Sequence, residues 1–375
     1  MLVVGYMSLV PEKDESFLNR HQTDEWKGWM QWMILIYHYT GASAVSSIYN
    51  AVRVLVASYL IMTGYGHFTY FYRKSDFSLT RVIKVLGRLN IFAVMLSYVM
   101  QSPYQAYYFA PLVSVWFLII YGTMYSHAAL NPEKSLLRTY FYIFGLFGAC
   151  CLLWMHPWII ETLVNVGAWI TASDWDAREA VFRFTLDIFI VPVGMLLAFT
   201  VLQSPASVIQ CSDKHAWKVQ LVSVLSLVFY FWFEMTCKDK YAYNRYHPFV
   251  SVIPVLAYIA LRNTVTSVRR YTSTVYRYVG QISLELFIAQ FHVWLAMDTK
   301  GVLVVFPRWP TLNLAVTTYI FVYLAHYVSK VSGSLTDRFA TSATTCTSVI
   351  VVLLIVVALN HFGQMISRYE EFNDD

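Results

Sequence analysis

A lysine and a histidine lie eleven residues apart in one apolar stretch near the start of the chain. Lys27 and His38 belong to the segment DEWKGWMQWMILIYHYTGA, and every residue between them is uncharged. Eleven residues make about three helical turns, which places both side chains on one face, about 16 Å apart along the axis. A cation at a membrane edge suits an anionic ligand, and a deeper imidazole suits a base or an acyl acceptor. The structural alternative is a lysine that reaches the interface and a histidine hydrogen-bonded to another helix.

Three polar residues recur in the apolar segment QISLELFIAQFHVW. Gln281, Glu285 and His292 stand at offsets of 0, 4 and 11, which is one face of a continuous helix. A carboxylate inside a membrane needs a partner, and the histidine is two turns away, so each is expected to meet a residue of another helix. This face either lines a polar passage or forms a ladder of interhelical hydrogen bonds.

The segment NRYHPFVSVIPVLAYIALRN carries polar groups at both ends of an apolar helix that contains prolines. Asn244, Arg245 and His247 are expected to line one mouth of the bundle. Arg262 lies at the opposite end, where its planar guanidinium suits a phosphate. The alternative role of Arg262 is an anchor at the membrane edge.

Further charged groups lie inside or beside apolar runs. Arg53 needs a partner within the bundle, and Arg88 lies within the third run. Arg183 and Asp187 stand at i and i+4, so they are expected to pair with each other. Glu25 either orients the nearby lysine or stays solvated.

The string YLIMTGYGHF closes the second apolar run, with Gly64, Gly66 and His67 at its end. Glycine there allows the close approach of a neighbouring helix or a broken helix end. His67 is a candidate contact for a cytosolic ligand. The sequence contains no P-loop, HExxH or GxSxG motif. The five cysteines show no CxxC or Cys/His spacing, so no metal is expected.

The elements that must position these groups are long apolar runs separated by short charged connections. The 375 residues are 58% hydrophobic and 13% charged, whereas a soluble domain is about 25% charged. Runs of about 20 residues match the hydrocarbon core of a bilayer, so the sequence predicts an all-α, polytopic transmembrane bundle of about 10–12 spans. The net charge of +5 belongs to the connections and indicates no nucleic-acid partner.

Eleven spans are predicted in a multispan domain over residues 28–365: 28–45, 50–72, 82–100, 105–126, 138–160, 180–202, 217–236, 249–265, 276–297, 311–329 and 345–365. Residues 156–170 either extend the fifth span or form an interfacial segment. Residues 2–10 are apolar but too short to cross a membrane, and are expected to be the tail of a helix at the start of a cytosolic segment, 1–27. A polar tail occupies 366–375.

The positive-inside rule orients the predicted bundle. With residues 11–27 in the cytosol, the cytosolic connections carry thirteen lysines and arginines and the opposite connections carry six. The connections 161–178, 237–248 and 298–310 then face the lumen or the exterior.

A family resemblance rests on five strings: NRHQTDEWKGWMQ, RVLVASYLIMTGYGHFTYF, DFSLTRVIKVLGRLN, HPFVSVIPVLAYIALRN and ISLELFIAQFHVWLAMDTKG. They are similar to the CAS family of multispan O-acetyltransferases, which includes animal enzymes that 9-O-acetylate sialic acid and plant reduced-wall-acetylation proteins. The resemblance runs from about Phe17 to about residue 330 and is closest to the membrane domain of the animal enzymes.

This resemblance implies a multi-pass Golgi membrane protein that uses cytosolic acetyl-CoA to acetylate a carbohydrate hydroxyl in the lumen. The donor is then expected near four basic side chains: Lys27, His67, Arg88 and Arg262. The candidates for catalysis are His38 as base or transient acyl acceptor, with His292 and Glu285. The candidates for sugar binding are Asn244, His247 and Gln281.

The animal enzymes also carry a lumenal SGNH-type domain with a Ser-Asp-His triad before the membrane region. That triad is assigned to no residue here, and such a domain is an expected partner in cis or in trans. Two other functions stay open. A transporter of acetyl-CoA or a nucleotide sugar would move its substrate unchanged past the same polar groups. A non-catalytic partner of a lumenal SGNH enzyme would tolerate substitution of every membrane histidine.

Overall fold

The computed structural model describes residues 2–171, 175–203, 215–295 and 301–342, with short pieces between 347 and 363. About half of the predicted span 345–365 therefore lies outside the described residues, and the predicted tail 366–375 lies wholly outside them. The end of the predicted span 276–297 and the start of the connection 298–310 are also outside.

Helices form nearly all of the described chain. Those of the first half are α1 (Leu2–Met7), α2 (Arg20–Tyr39), α3 (Ser46–Lys74), α4 (Leu79–Val99), α5 (Phe109–Leu130), α6 (Leu136–Met155) and α7 (Trp158–Thr171). Those of the second half are α8 (Ala177–Leu186), α9 (Ile190–Gln203), α10 (Ala216–Thr236), α11 (Lys240–Val250), α12 (Val252–Thr264), α13 (Thr266–Arg269), α14 (Thr274–Gln281), α15 (Ser283–Val293) and α16 (Pro310–Thr341). Short 3-10 turns occupy Ala42–Ala44 and Tyr104–Tyr107.

Within the described residues, six helical segments have the length and apolar composition needed to cross a membrane. They are Leu79–Val99, Phe109–Leu130, Leu136–Met155, Ala177–Gln203, Ala216–Thr236 and Pro310–Thr341. Two shorter apolar helices are Trp158–Thr171 and Val252–Thr264. The prediction of an all-α, polytopic membrane protein is confirmed.

The first predicted span is misplaced at both ends. The helix is not 28–45 but Arg20–Tyr39. It begins early because the Asn19 side chain accepts a hydrogen bond from the backbone N–H of Gln22 at 2.8 Å and caps the first turn. It ends early because Gly41 adopts a left-handed φ of 63°. His38 consequently lies in the last turn of α2.

Two predicted spans are each divided into two helices. The span 180–202 breaks between Leu186 and Ile190, and the span 276–297 breaks at Ile282. Pro192 follows the first break and has no N–H to donate to the Ile188 carbonyl within it, and Gly280 precedes the second break by two residues. The fifth predicted span, 138–160, ends at Met155, and α7 follows Pro157 as a separate helix.

Two compact units divide the chain. The first contains Met1–Ser75, Trp116–Phe144 and Leu186–Ser329, and the second contains Asp76–Val115, Gly145–Thr185 and Lys330–Asp375. Of the candidate site residues, Arg88 belongs to the second unit and the others belong to the first.

Glycines bring two helix pairs of the first unit into backbone contact. A Cβ atom on Gly28 of α2 would lie 1.8 Å from the Tyr276 carbonyl oxygen of α14, and one on Gly280 would lie 1.8 Å from the Asp24 carbonyl oxygen. Gly64 of α3 likewise meets the backbone of α9 at Val191. The predicted close approach at Gly64 is confirmed, and the predicted alternative of a broken helix end is wrong because α3 continues to Lys74.

The N-terminal segment is fastened to the loop before α14. The apolar stub predicted at 2–10 forms α1 and then a strand, Leu9–Pro11, which pairs antiparallel with Tyr271–Ser273. Nδ1 of His21 lies 2.5 Å from a carboxylate oxygen of Glu12. Burial raises the pKa of Glu12, but the hydrogen bond and charge of His21 lower it by more, so the pKa lies below its usual value.

Candidate functional site

His38 is held by a glutamine of another helix. Its Nδ1 lies 2.8 Å from Oε1 of Gln290, which α15 contributes. The Gln290 amide nitrogen donates to the Phe287 carbonyl at 2.8 Å, so its oxygen must face the histidine. Nδ1 of His38 is therefore the donor, and in a neutral ring the lone pair would then lie on Nε2. The prediction missed Gln290, although a glutamine within an apolar helix was a visible signal.

The polar face predicted on α15 is only partly present. Glu285 lies in the first turn and is fully buried, and His292 lies in the last turn and is half-buried. Gln281 is exposed at the end of α14, across the break at Ile282. The prediction that all three share one continuous helix is wrong, because the chain interrupts the helix between Gln281 and Glu285.

Two of the four basic side chains predicted for the donor, Lys27 and Arg262, each bind a carboxylate. The Lys27 ammonium lies 2.6 Å from Asp24, one turn earlier on α2. Arg262 donates to Glu25 at 2.7 Å and to the carbonyl oxygens of Val268 and Tyr271. Arg262 thus fastens the loop between α12 and α14.

One of the two expectations for Glu25 was that it orients Lys27. That expectation is wrong, because Glu25 binds Arg262. Its second oxygen accepts from the backbone N–H of Ser273 at 2.9 Å, so it joins α2 to that same loop.

The other two basic candidates are further apart in the fold. His67 lies within α3, where its ring meets the edge of Phe117 at a centroid distance of 4.9 Å. Arg88 lies in the second unit and donates to the Ser332 hydroxyl at 3.2 Å. Their contact with a donor molecule stays a prediction.

A buried ion pair occupies the break between α8 and α9. Asp187 accepts from Arg53 of α3 at 2.7 Å and lies 3.0 Å from Nε2 of His247 of α11. The predicted Arg183–Asp187 pair is wrong: Arg183 instead binds Glu179 at 2.6 Å. The reason is the helix end at Leu186, which removes Asp187 from the i, i+4 geometry of Arg183.

His247 lies in the interior and not at an open mouth, because its exposed fraction is 0%. Its Nδ1 lies 2.8 Å from the Tyr243 hydroxyl, which lies 2.7 Å from the Tyr230 hydroxyl. Beside Arg53, Asp187 is a carboxylate and can only accept, so His247 donates from Nε2. Tyr243 then donates to His247, and Tyr230 donates to Tyr243. In this series of hydrogen bonds, each group donates to the next one along, from Tyr230 of α10 to Asp187.

A second polar layer lies one helical turn from the first on the same helices. Asn50, three residues before Arg53, donates to Glu234 of α10 at 2.8 Å. Asn244, three residues before His247, donates to the Tyr49 hydroxyl at 3.2 Å. The sequence prediction missed Asn50 and Glu234, although Asn50 stands one turn before Arg53 on α3 and Glu234 is a carboxylate in an apolar run.

Across the described part of the chain, no group of three or more His, Cys, Asp or Glu side chains is arranged to hold a metal ion.

Comparisons with known proteins place the chain in a family context. The family described as the 10 TM acyl transferase domain found in Cas1p matches residues 1–352. An N-acetylneuraminate (7)9-O-acetyltransferase from Danio rerio is 42% identical over 355 residues, which cover 89% of this chain and 45% of that relative. The chain thus spans less than half the length of the relative. No solved structure shows a significant match.

Proposed function

Because this chain belongs to the family of 10 TM acyl transferase domains found in Cas1p, we propose that it is the membrane-embedded part of an O-acetyltransferase. The acceptor is a hydroxyl of a sialic acid-like sugar, as the name of the relative that is 42% identical suggests. The share of that relative covered by the chain leaves room for a further domain, and an SGNH-type domain is the proposed partner.

The donor in this proposal is acetyl-CoA on the cytosolic side of a Golgi membrane, and the acceptor is lumenal. Lys27 is the basic residue closest in sequence to His38 on α2, and it is partly exposed. A phosphate that displaces Asp24 from Lys27 would bind there by charge and hydrogen bonding. Arg262, Arg88 and His67 are kept as secondary donor contacts.

The hydrogen bond between His38 and Gln290 is the observation that carries the proposal. It sets the neutral tautomer with the lone pair on Nε2, which is the form that a base or nucleophile requires. As nucleophile, Nε2 would form a C–N bond to the acetyl carbon while the C–S bond breaks and the thiolate of CoA leaves. The acceptor hydroxyl would then form a C–O bond to the acetyl carbon as the C–N bond breaks, and its proton would pass to Nε2 and from there to solvent, which balances the proton that the CoA thiolate takes up. Glu285 and His292 lie on the same helix as Gln290.

The test is transfer of labelled acetyl from acetyl-CoA to a lumenal sugar in sealed vesicles. His38→Ala is expected to lower the rate by about 10²-fold or more, since a positioned acid–base group contributes that much. Gln290→Leu is expected to lower it less, because the imidazole remains but its tautomer is no longer set.

His326→Ala is the matched control. His326 is also a histidine of the first unit, and its ring is hydrogen-bonded to Tyr278 at 3.0 Å. Full O-acetylation by a correctly inserted His38→Ala protein would refute the proposed role. Uptake of the intact thioester without release of CoA would identify a transporter instead.

A further inference from the structure

The turn between α5 and α6 is built on a buried polar cluster of the first unit. His127, Asn131 and Thr139 are each at most 2% exposed. Nε2 of the histidine lies 2.9 Å from both the Asn131 amide nitrogen and the Thr139 hydroxyl. Oδ1 of Asn131 accepts a hydrogen bond from the Ser135 backbone N–H at 2.9 Å. A buried side chain therefore closes the turn and fixes the path of its backbone.

Lys134 adopts an unfavourable backbone conformation within this turn. Its φ is 51°, in the left-handed region that glycine occupies at little cost and a residue with a Cβ atom seldom adopts. Its ammonium lies 2.6 Å from the Tyr72 carbonyl oxygen near the end of α3, and 5.1 Å from the centre of the Tyr72 ring. The carbonyl uses one of the three N–H donors of the lysine, and the side chain is exposed, so the other donors can bind a ligand.

Four exposed cations lie where this turn meets the end of α3: Arg73, Lys74, Lys134 and Arg138. The guanidinium of Arg138 donates to the Leu130 carbonyl at 3.2 Å. Within the described residues none of the four is paired with a carboxylate, whereas Lys27 and Arg262 each bind one. Glu133 is the acidic residue of the turn, so positive charge remains in excess. Such a cluster attracts anions.

The position of the turn selects the kind of anion. Both α5 and α6 can cross a membrane, so residues 131–135 lie at its surface, level with the lipid headgroups. The phosphates of CoA are a second source, but they are too far away. The Tyr59 hydroxyl of α3 contacts the Lys27 carbonyl at 2.8 Å, and Lys74 lies fifteen residues, or about 22 Å, further along α3. A donor with its phosphates at Lys27 and its thioester at His38 therefore leaves the turn free.

We propose that the four cations form a binding site for the phosphorylated headgroup of an anionic lipid in the adjacent leaflet. Its phosphate oxygens accept hydrogen bonds from Lys134 and Arg138, while Arg73 and Lys74 add charge from α3. The buried cluster beneath the turn holds the site in place, so little ordering is needed on binding. A headgroup with a phosphate monoester carries more charge than phosphatidylserine and binds more tightly. This site is independent of the proposed acetyl transfer.

The probe is a water-soluble dioctanoyl phosphatidylinositol monophosphate, titrated onto the purified chain in nanodiscs of neutral phosphatidylcholine. The double variant Lys134→Gln, Arg138→Gln is expected to weaken binding about twentyfold, since each cation beside an anionic headgroup contributes about fivefold. The matched control is Lys330→Gln, Arg338→Gln. It removes two exposed cations of the second unit that are predicted on the same side of the membrane, and it should change binding by about twofold or less.

Two single variants separate a preformed site from general attraction by charge. Asn131→Ala leaves all four cations in place but removes the acceptor for the Ser135 N–H, and it should weaken binding about threefold or more. Lys134→Gly adopts a φ of 51° without strain, so it should unfold at about the wild-type temperature while binding falls about fivefold. Thermal unfolding in detergent reports on both, and the two double variants decide the question if Asn131→Ala does not fold.

Wild-type affinity in Lys134→Gln, Arg138→Gln, or equal losses in the two double variants, would overturn the site. Wild-type affinity in a folded Asn131→Ala protein would reduce it to diffuse attraction and overturn it equally. Competition identifies the source of the phosphate. Displacement of the lipid probe by CoA, at concentrations at which inorganic phosphate has no effect, would assign the cations to a nucleotide and refute the lipid. Retention of the probe in the presence of both competitors is the expected result.

Discussion

At the scale of single residues, Asp187 is a fully buried carboxylate of the first unit. It accepts from both Arg53 and His247. Two buried charges in contact contribute little net stability, but one left alone is strongly unfavourable. Such a pair within a membrane is retained for function or for specifying one arrangement of helices. Here it joins α3, α11 and the break before α9 through side chains alone.

Removing one member of this pair should therefore be costly. Arg53→Met is expected to lower the free energy of unfolding by about 3 kcal/mol or more, because it leaves the Asp187 carboxylate without its cation. The double variant Arg53→Met, Asp187→Leu should recover much of that loss, since no charge remains. Unfolding in mixed detergent micelles measures both.

Arg183→Met provides the control for this prediction. Arg183 and its partner Glu179 are one turn apart on α8 and keep exposed fractions of 30% and 41%. A pair of that kind contributes about 0.5 kcal/mol or less. Equal losses in Arg53→Met and Arg183→Met would contradict the distinction between buried and exposed pairs.

At the scale of helices, contact between α2 and α14 depends on two glycines. Gly28 and Gly280 each face the opposite backbone, with carbonyl oxygens 1.8 Å from where a Cβ atom would stand. Backbone atoms cannot rotate away as a side chain can, so any larger residue must separate the helices. The separation would also shift α2, on which His38 lies.

Gly28→Ala is accordingly expected to lower the free energy of unfolding by about 3 kcal/mol, at the upper end of the cost of overpacking. It should also reduce acetyl transfer, since α2 carries His38. Gly66→Ala is the control: nothing lies within 4 Å of its Cβ position, and α3 is helical there. That variant should be neutral or stabilised by up to about 1 kcal/mol. A Gly28→Ala protein as stable as Gly66→Ala would disprove tight packing at this contact.

Hydropathy predicted the long helices well and their ends poorly. The predicted span 217–236 matches Ala216–Thr236, and 50–72 matches Ser46–Lys74 to within a few residues. The bilayer sets these lengths, so composition suffices for them. The start of α2 at Arg20 was missed because a capping asparagine and a charged first turn carry no hydropathy signal.

The partners of charged groups were less predictable than the groups themselves. Arg53, His38 and Glu285 stood out because charge or polarity inside an apolar run is rare. Asp187 was assigned to its neighbour in sequence, whereas its partners Arg53 and His247 are distant in the chain. Local periodicity describes one helix at a time, so pairing across helices requires the tertiary structure. The break that frees Asp187 from α8 is followed by Pro192 in the first turn of α9, a signal that hydropathy alone does not register.

At the scale of the whole molecule, the proposed chemistry depends on orientation. The donor candidates Lys27 and Arg262 are predicted at the cytosolic side, and the sugar-binding candidate Asn244 at the lumenal side, because positive charge is concentrated in alternate connections. His38 lies eleven residues beyond Lys27 on α2, about 16 Å further along that helix. An acetyl group passed from one side to the other would meet His38 between these two regions.

Orientation can be tested with two engineered cysteines in a chain whose five native cysteines are replaced by alanine. Lys13 and Lys238 are both exposed, and the positive-inside rule places them on opposite sides of the membrane. In sealed microsomes with the cytosolic face outward, an impermeant maleimide should label Lys13→Cys at once and Lys238→Cys only after detergent is added. Labelling of both before detergent would place both residues on the cytosolic side, which requires an even number of spans between them and contradicts the predicted topology. Labelling of Lys238→Cys alone would show that the bundle is inverted, with the sugar-binding candidate Asn244 on the same side as acetyl-CoA.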